Sequence, residues 1–317
     1  MPLPEILQDR LALPVIGAPM FIVSGPDLVI AQCKAGVVGA FPALNARPAQ
    51  MLDSWLTRIE RELSEFAAAN PELPVAPYAV NQIVHASNAR LADDMRVCEA
   101  HRAPIVITSL RPPDEVVAAV HGWGGIVLHD VISVRHAEKA LAAGVDGLIL
   151  VCAGAGGHAG ALSPFALLQE IRAFYDGPVA LSGAIASGAA ILAAQALGAD
   201  LAYIGTRFIA TAEADADPRY KQMLIDGAAA DIVYTPYFTG VAGNYLKSSI
   251  AAAGLDPEHL ASADKSRMDF ATSAKAWRDI WGAGQGLGAI ADAPPVDSLV
   301  RRLSSEYVAA KRQLCGK

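Results

Sequence analysis

The chain is 317 residues long, 53% hydrophobic and only 18% charged, which excludes a disordered chain and leaves room for two ordinary domains or one large barrel with an addition. Its 25 Lys and Arg against 32 Asp and Glu give a net charge of −7 with no basic tract, so nucleic-acid binding by phosphate neutralisation is excluded. Cys33, Cys98, Cys152 and Cys315 form no CxxC pair and the N-terminus carries no basic and then apolar leader, so the expectation is a cytoplasmic protein with reduced thiols, no disulfide framework and no zinc site.

Taken in chain order, short apolar or β-branched runs predict strands at 14–18, 37–41, 75–80, 105–108, 125–129, 147–151, 179–182 and 202–205. Helical patterns fall between them at 48–66, 86–101, 114–120, 134–143, 164–175 and 187–197, and Gly144 and Gly198 stand where helix C-terminal glycines belong. Two uncharged stretches, 147–169 and 177–199, are long enough to span a bilayer, but Pro164, Pro178 and several glycines break each into strand, turn and helix, so no membrane segment is expected. Strands buried on both faces and alternating with helices imply a parallel sheet. An open doubly wound sheet shares that count. Eight even units with no Gly-rich dinucleotide fingerprint after the first strand favour an α/β (β/α)8 TIM barrel, with its site at the strands' C-terminal ends. After Phe208 the alternation stops. The expected organisation is a barrel over 1–210, a small helical domain over 211–277 with helices at 220–230 and 266–277 around an irregular 234–240, and a tail over 278–317 whose helix at 296–313 packs back on the barrel.

The chemistry gathers at strand ends. Ser182-Gly183-Ala184-Ile185 follows the seventh predicted strand and Gly205-Thr206-Arg207-Phe208 the eighth; in such a barrel these neighbouring turns can cradle a phosphate on backbone N–H groups. The plainer reading is two tight turns, with Arg207 serving either a phosphate or a surface salt bridge. After the sixth strand, Cys152-Ala153-Gly154-Ala155-Gly156-Gly157-His158-Ala159-Gly160 sets one imidazole among residues with almost no side chains. Such a loop lets a planar ligand approach the backbone and leaves His158 to move a proton near neutral pH, although a lone histidine there is also read as structural or solvated. His85, His101, His121, His136 and His259 read as surface residues. No HExxH, GxSxG or metal-spaced carboxylate pair is present.

Six segments in register, Val15-Ile16-Gly17-Ala18-Pro19-Met20, Val80-Asn81, Ala155-Gly156-Gly157-His158, Ser182-Gly183-Ala184-Ile185, Ile204-Gly205-Thr206-Arg207-Phe208 and Ala283-Gly284-Gln285-Gly286, together resemble the nitronate monooxygenases, formerly 2-nitropropane dioxygenases. The resemblance runs over nearly the whole chain and implies FMN held without a covalent bond at the strand ends. By that resemblance Gly183, Gly205 and Thr206 bind its phosphate, Met20 and Asn81 line its ring and ribityl regions, Gln285 and Gly286 close over it, Ala18, His129, Gly156, Gly157, Ser182 and Ala184 are further cofactor-binding positions, and His158 is catalytic. The implied reaction oxidises an alkyl nitronate with O2 to a carbonyl compound and nitrite. His158 would orient the anion, or remove the α-proton of a neutral nitroalkane. A small-molecule substrate with O2 is the implied partner set, and a homodimer is compatible with the sequence.

Two segments depart from the family pattern: His129-Asp130-Val131 stands where many relatives carry lysine, and Cys152-Ala153-Gly154-Ala155 where many carry glutamate. Asp130 is expected to cap the following helix at Ser133-Val134 or to pair with Arg135. The departures keep an alternative open, an NAD(P)H-dependent FMN reductase of the quinone-reductase or enoyl-thioester-reductase type. A flavin-free lyase or aldolase lacks its strand-borne lysine or metal carboxylates.

Overall fold

The computed structural model describes residues 3–260 and 280–316. Its strands, in chain order, are β1 (Val15–Gly17), β2 (Gly39–Pro42), β3 (Tyr78–Val84), β4 (Ile105–Leu110), β5 (Ile126–Val131), β6 (Gly147–Val151), the two-residue β7 (Gly157–His158), β8 (Val179–Ser182), β9 (Leu201–Ile204), β10 (Ile232–Thr235) and β11 (Gly243–Leu246). Eight of them are parallel in the order β1-β9-β8-β6-β5-β4-β3-β2. The ring closes where Val38, just ahead of β2, bridges Ile16, with Val38 N donating to Val15 O at 3.0 Å and Gly17 N to Val38 O at 2.7 Å. This is the expected TIM barrel.

Strand parity then decides which side chains fill it. Ile16, Ala79, Ile107, Leu128, Ile149 and Leu201 meet in one interior cluster, whereas their sequence neighbours face the helical layer. That layer is α1 (Pro26–Lys34), α2 (Met51–Ala69), α3 (Leu91–Ala100), α4 (Asp114–Gly122), α5 (Val134–Ala142), α6 (Pro164–Arg172), α7 (Gly188–Ala196) and the one-turn α8 (Thr206–Ile209). In α2 the spacing of Leu52, Leu56, Ile59 and Leu63 gives one apolar stripe, and all four are buried. Each contributes about 1.5–3 kcal/mol of burial. Ser133 and Ser187 start α5 and α7 by accepting from the N–H groups of His136 and Ala190.

Two elements shift from the expectation. The third strand begins at Tyr78 rather than at 75 and runs on to Val84, because Asn81 and Gln82, polar residues that suggest a strand end, are buried within it. The helix expected from 86 begins only at Leu91; Asn88 holds the preceding turn by donating to Ile83 O at 2.9 Å and accepting from Arg90 N at 3.1 Å.

The addition after β9 is mixed rather than helical. It carries α9 (Pro218–Asp226) and α10 (Lys247–Ala252), but β10 and β11 form an antiparallel hairpin whose second strand pairs with β7, Gly243 opposite His158 and Asn244 opposite Gly157. The β-branched and aromatic run Ile232-Val233-Tyr234-Thr235 makes a strand of what reads as irregular, Pro236 and Gly240 supplying only the turn. A Cβ on Gly243 would lie 2.8 Å from Gly157 O, so the pairing requires glycine there. The helix expected at 266–277 lies outside the described residues. The closing helix, α11 (Val296–Cys315), packs on α7 and α1, and its Glu306 accepts from Gly188 N at 2.8 Å.

Candidate active site

The barrel strands end at a cavity of about 440 Å³. One end of it is made of turns. After β8, Gly183 has φ +135°, and a Cβ there would sit 2.6 Å from Ala153 O; only glycine fits without strain. Ala184 follows at φ +55° and donates its N–H to Gly154 O at 3.2 Å. The segment from Gly282 to Gly286 folds over this end: Gly284 N donates to Thr206 Oγ1 at 2.8 Å and Gln285 N to Gly154 O at 2.9 Å. Arg207 takes no part. It is 2% exposed, pairs with half-exposed Asp292 at 3.0 Å and donates to Ala210 O, so its guanidinium is buried away from the cavity in a pair that reaches the surface through the carboxylate. An anion at this end would meet the backbone N–H groups of Thr206 and Arg207, since those of Phe208 and Ile209 already donate to Gly205 O.

The mouth is apolar and held in an unusual backbone. Ile22 has φ +59°, a conformation that β-branched residues avoid. Asn45 imposes it by accepting from Ile22 N at 2.9 Å while donating to Met20 O and Ser24 O at 3.0 and 2.9 Å. Arg47 lies 5.1 Å over the Phe21 ring.

At the ends of β3, β4 and β5 the wall is built of side chains. Asn81 Nδ2 donates to Ser109 Oγ at 2.9 Å, and Ser109 Oγ donates to Asp130 Oδ2 at 2.6 Å. Asp130 Oδ1 is buried with no hydrogen-bond partner among the described residues. Burial, only partly offset by the Ser109 hydrogen bond, pushes the Asp130 carboxyl up to about 6. The expectation of a helix cap or an Arg135 partner is therefore corrected: Ser133 caps α5, and Asp130 turns to the cavity because it shares strand parity with Leu128, which faces the barrel interior. The same parity sends His129 the other way. Its Nδ1 lies 2.8 Å from Thr108 Oγ1, the residue is buried, and burial holds its imidazole down at about 4; it does not line the cavity.

His158 reaches the cavity from β7, pinned by the hairpin. Its Nε2 lies 2.8 Å from Thr239 Oγ1, and that hydroxyl donates to Val241 O at 3.0 Å. The assignment compatible with that direction is the Nε2–H tautomer, with Nδ1 the unprotonated nitrogen of the neutral ring. Burial pushes this imidazole down to about 4, so it is uncharged at neutral pH.

The cavity thus brings together Ala18, Met20, Asn81, Gly156, Gly157, His158, Ser182, Gly183, Ala184, Gly205, Thr206 and Gly286. Gln285 acts through its backbone, and His129 stands behind the wall. Sequence reasoning did not find Ser109, Thr239 or the stacked pair Tyr220 and Trp281, whose rings lie 4.9 Å apart at 13°. Strand parity at Asp130 was the available signal; nothing local marks Thr239. Exposed His136 also borders the cavity. Among the described residues no group of His, Cys, Asp and Glu could hold a metal ion, and no helix is long and apolar enough to cross a membrane.

Comparison with known proteins bears on what this cavity serves. The family model for nitronate monooxygenase matches residues 5–306. The chain is 28% identical over 359 residues to a nitronate monooxygenase of Paraburkholderia phytofirmans, covering 95% of this chain and 94% of that one. It is 26% identical over 237 residues to (3aS,4S,5R,7aS)-5-hydroxy-7a-methyl-1-oxo-octahydro-1H-indene-4-carboxyl-CoA dehydrogenase of Rhodococcus jostii, covering 75% and 63%. Among solved structures, nitroalkane oxidase from Streptomyces ansochromogenes matches with a TM-score of 0.78 at 25% identity, covering 98% of this chain and all of that one.

Proposed function

The chain belongs to the nitronate monooxygenase family and is a flavin-dependent oxidoreductase; on that footing we propose that its flavin is FMN and that it oxidises alkyl nitronates with O2 to a carbonyl compound and nitrite. The cavity suits that cofactor. Gly183, Gly205 and Thr206 would hold a single terminal phosphate on backbone N–H groups, in a turn shaped by Ala184; Ala18, Met20 and Asn81 would line the ring and ribityl regions, and Gly156, Gly157 and Gly286 would close over them. Two observations support the fit: a wall position that admits no Cβ at Gly183 and a buried carboxyl oxygen left without a partner at Asp130. When bound, the flavin takes electrons from the substrate and passes them to oxygen.

His158 is the observation that carries the reading: an oriented, uncharged imidazole facing the cavity opposite the glycine turns. A base held near 4 is poorly matched to removing a carbon-bound proton near neutral pH, which favours the preformed nitronate over the neutral nitroalkane. An arriving nitronate anion raises the imidazole's affinity for a proton, so Nδ1 would bind one from solvent and then pair with the nitronate oxygen. Thr239 keeps the ring in place while this happens.

A second reading is an NAD(P)H-dependent reductase, which a relative named as a carboxyl-CoA dehydrogenase keeps open. Arg47 is the one Lys or Arg on the cavity wall among the described residues, a sparse setting for a nicotinamide donor's phosphates. Anaerobic mixing with a nitronate, NADH and NADPH in turn decides between the two: bleaching of the flavin by the nitronate is expected, and bleaching only by a nicotinamide would replace the first reading with the second.

A further inference from the structure

Asp130 is a carboxyl in an unusual position for a flavin site. It sits on the cavity wall at the end of β5, fixed on one side by the relay from Asn81 through Ser109 to Oδ2. Its other oxygen, Oδ1, is buried and unpartnered, and no ion pair among the described residues involves it. The surroundings offer little compensation. Tyr203 on β9 shares the barrel interior and is itself disfavoured from ionising by burial and by Asp130; β6 presents Val151; His158 on β7 and His136 on α5 line the same cavity; Arg47 lies at its mouth. A buried carboxylate with one satisfied oxygen is a poor resting place for a charge and a good acceptor for a proton.

We propose that Asp130 is a redox-tuning residue: when negative charge arrives on the bound flavin, its carboxylate takes up one proton from solvent at Oδ1, and so it ties the flavin's reduction potential to pH. The inference rests on the flavin reading above. The step balances simply, since the electrons come from the substrate or electrode, the proton comes from water or buffer, an O–H bond forms on Oδ1, and the site's net negative charge rises by one unit less than it would without Asp130. Ser109 determines how readily this happens, because its hydrogen bond favours the charged carboxylate. The raised proton affinity of Asp130 places the effect in the range where cells operate.

The test is spectroelectrochemical titration of the flavin-loaded protein from about pH 5 to about pH 9, paired with difference infrared spectroscopy of the carboxyl region. In the wild type, one stretch of that range should shift the reduction equilibrium by an additional tenfold or so per pH unit, the signature of one extra proton taken up. A protonated-carboxyl band should appear on reduction. Asp130→Asn should lose both the stretch and the band and be more easily reduced at the alkaline end. Ser109→Ala, which keeps the carboxyl but removes its donor, should move the stretch to higher pH, and it decides the matter if Asp130→Asn does not retain flavin. Parallel curves for wild type and both variants, in a protein that still oxidises nitronates, would overturn this inference and leave the functional reading standing. A protein that binds no flavin would sink both.

Discussion

The two ends of the cavity are made of different materials. Around the turns after β8 and β9 the wall is backbone, shaped by Gly183, Ala184 and Gly205 and roofed by Gly284 to Gly286, and the guanidinium of Arg207 is turned away to pair with half-exposed Asp292. Around the ends of β3, β4 and β5, and at β7, the wall is side chain: Asn81, Ser109, Asp130, His158 and Thr239. Backbone N–H groups carry no proton that titrates in the working range, so the first end binds charge in a way that is indifferent to pH. The second end carries a raised carboxyl and a lowered imidazole, and all the pH sensitivity of the site should lie there. Steric substitutions ought to break one end and charge substitutions the other.

The largest effect is expected at the backbone end. Gly183→Val places a side chain 2.6 Å from Ala153 O at φ +135°, a strain of about 1–3 kcal/mol before the clash is counted, and the purified variant should be colourless. Full flavin absorbance in that variant would remove Gly183 from the site. Gly205→Ala is the sharpening control, because its Cβ would meet Ala18 Cβ at an ordinary 3.5 Å; it should fold normally, so any loss of flavin reports crowding by the cofactor itself.

At the side-chain end, His158→Asn should slow neutral nitroalkanes by roughly 10²–10⁴-fold only if the imidazole serves them as a general base, a role its lowered proton affinity disfavours. With preformed nitronates the loss in kcat/KM should be smaller, about ten- to a hundredfold for one charge-assisted hydrogen bond. Equal, small losses with both substrates would make His158 a structural residue. Because the free imidazole is held near 4 and anion binding raises it, nitronate affinity should fall as pH rises above about 4 and level off above the bound-state value. Affinity that strengthens with pH would contradict the proton uptake.

Asp130→Asn should act on stability in the cofactor-free protein. The folded carboxyl sits at about 6, well above the ordinary aspartate range, so the native state holds the extra proton, and stability is lost as pH rises through about 6. The asparagine variant should therefore be more stable than the wild type at pH 8, by about 1–2 kcal/mol once partial exposure is allowed for, and nearly equal to it at low pH. Thermal unfolding at the two pH values checks this; equal gains at both would point to packing rather than charge. The smallest effect is Thr239→Val, which removes the acceptor for Nε2 and should lower kcat/KM about three- to tenfold while flavin content stays full.

How legible each end was in the sequence follows from the same difference. Glycine turns after strands are visible as letters, because the backbone conformation they permit is a local property, so Gly183, Gly205 and the barrel order could be read directly. His158 stood out for a similar reason, isolated among small residues. Asp130 and His129 are adjacent, and choosing which one faces the cavity requires the strand's parity against the barrel interior, which the run Ile126-Val127-Leu128 leaves undecided because both faces are apolar. Thr239 was out of reach, since its role depends on a pairing 81 positions from His158. The same long-range pairing hid the hairpin, whose strands resemble loop until β7 supplies an edge for them.

That pairing also sets an order of assembly. Barrel strands join close neighbours in sequence apart from the pairing of β1 with β9, whereas β7 cannot find β11 until the chain has closed a loop of dozens of residues, a step penalised by chain entropy. As the polypeptide leaves the ribosome, the barrel's share of the core can gather before the hairpin exists. The imidazole would then be the last part to be aimed, and a nascent chain holding a half-built barrel would have no oriented base to expose.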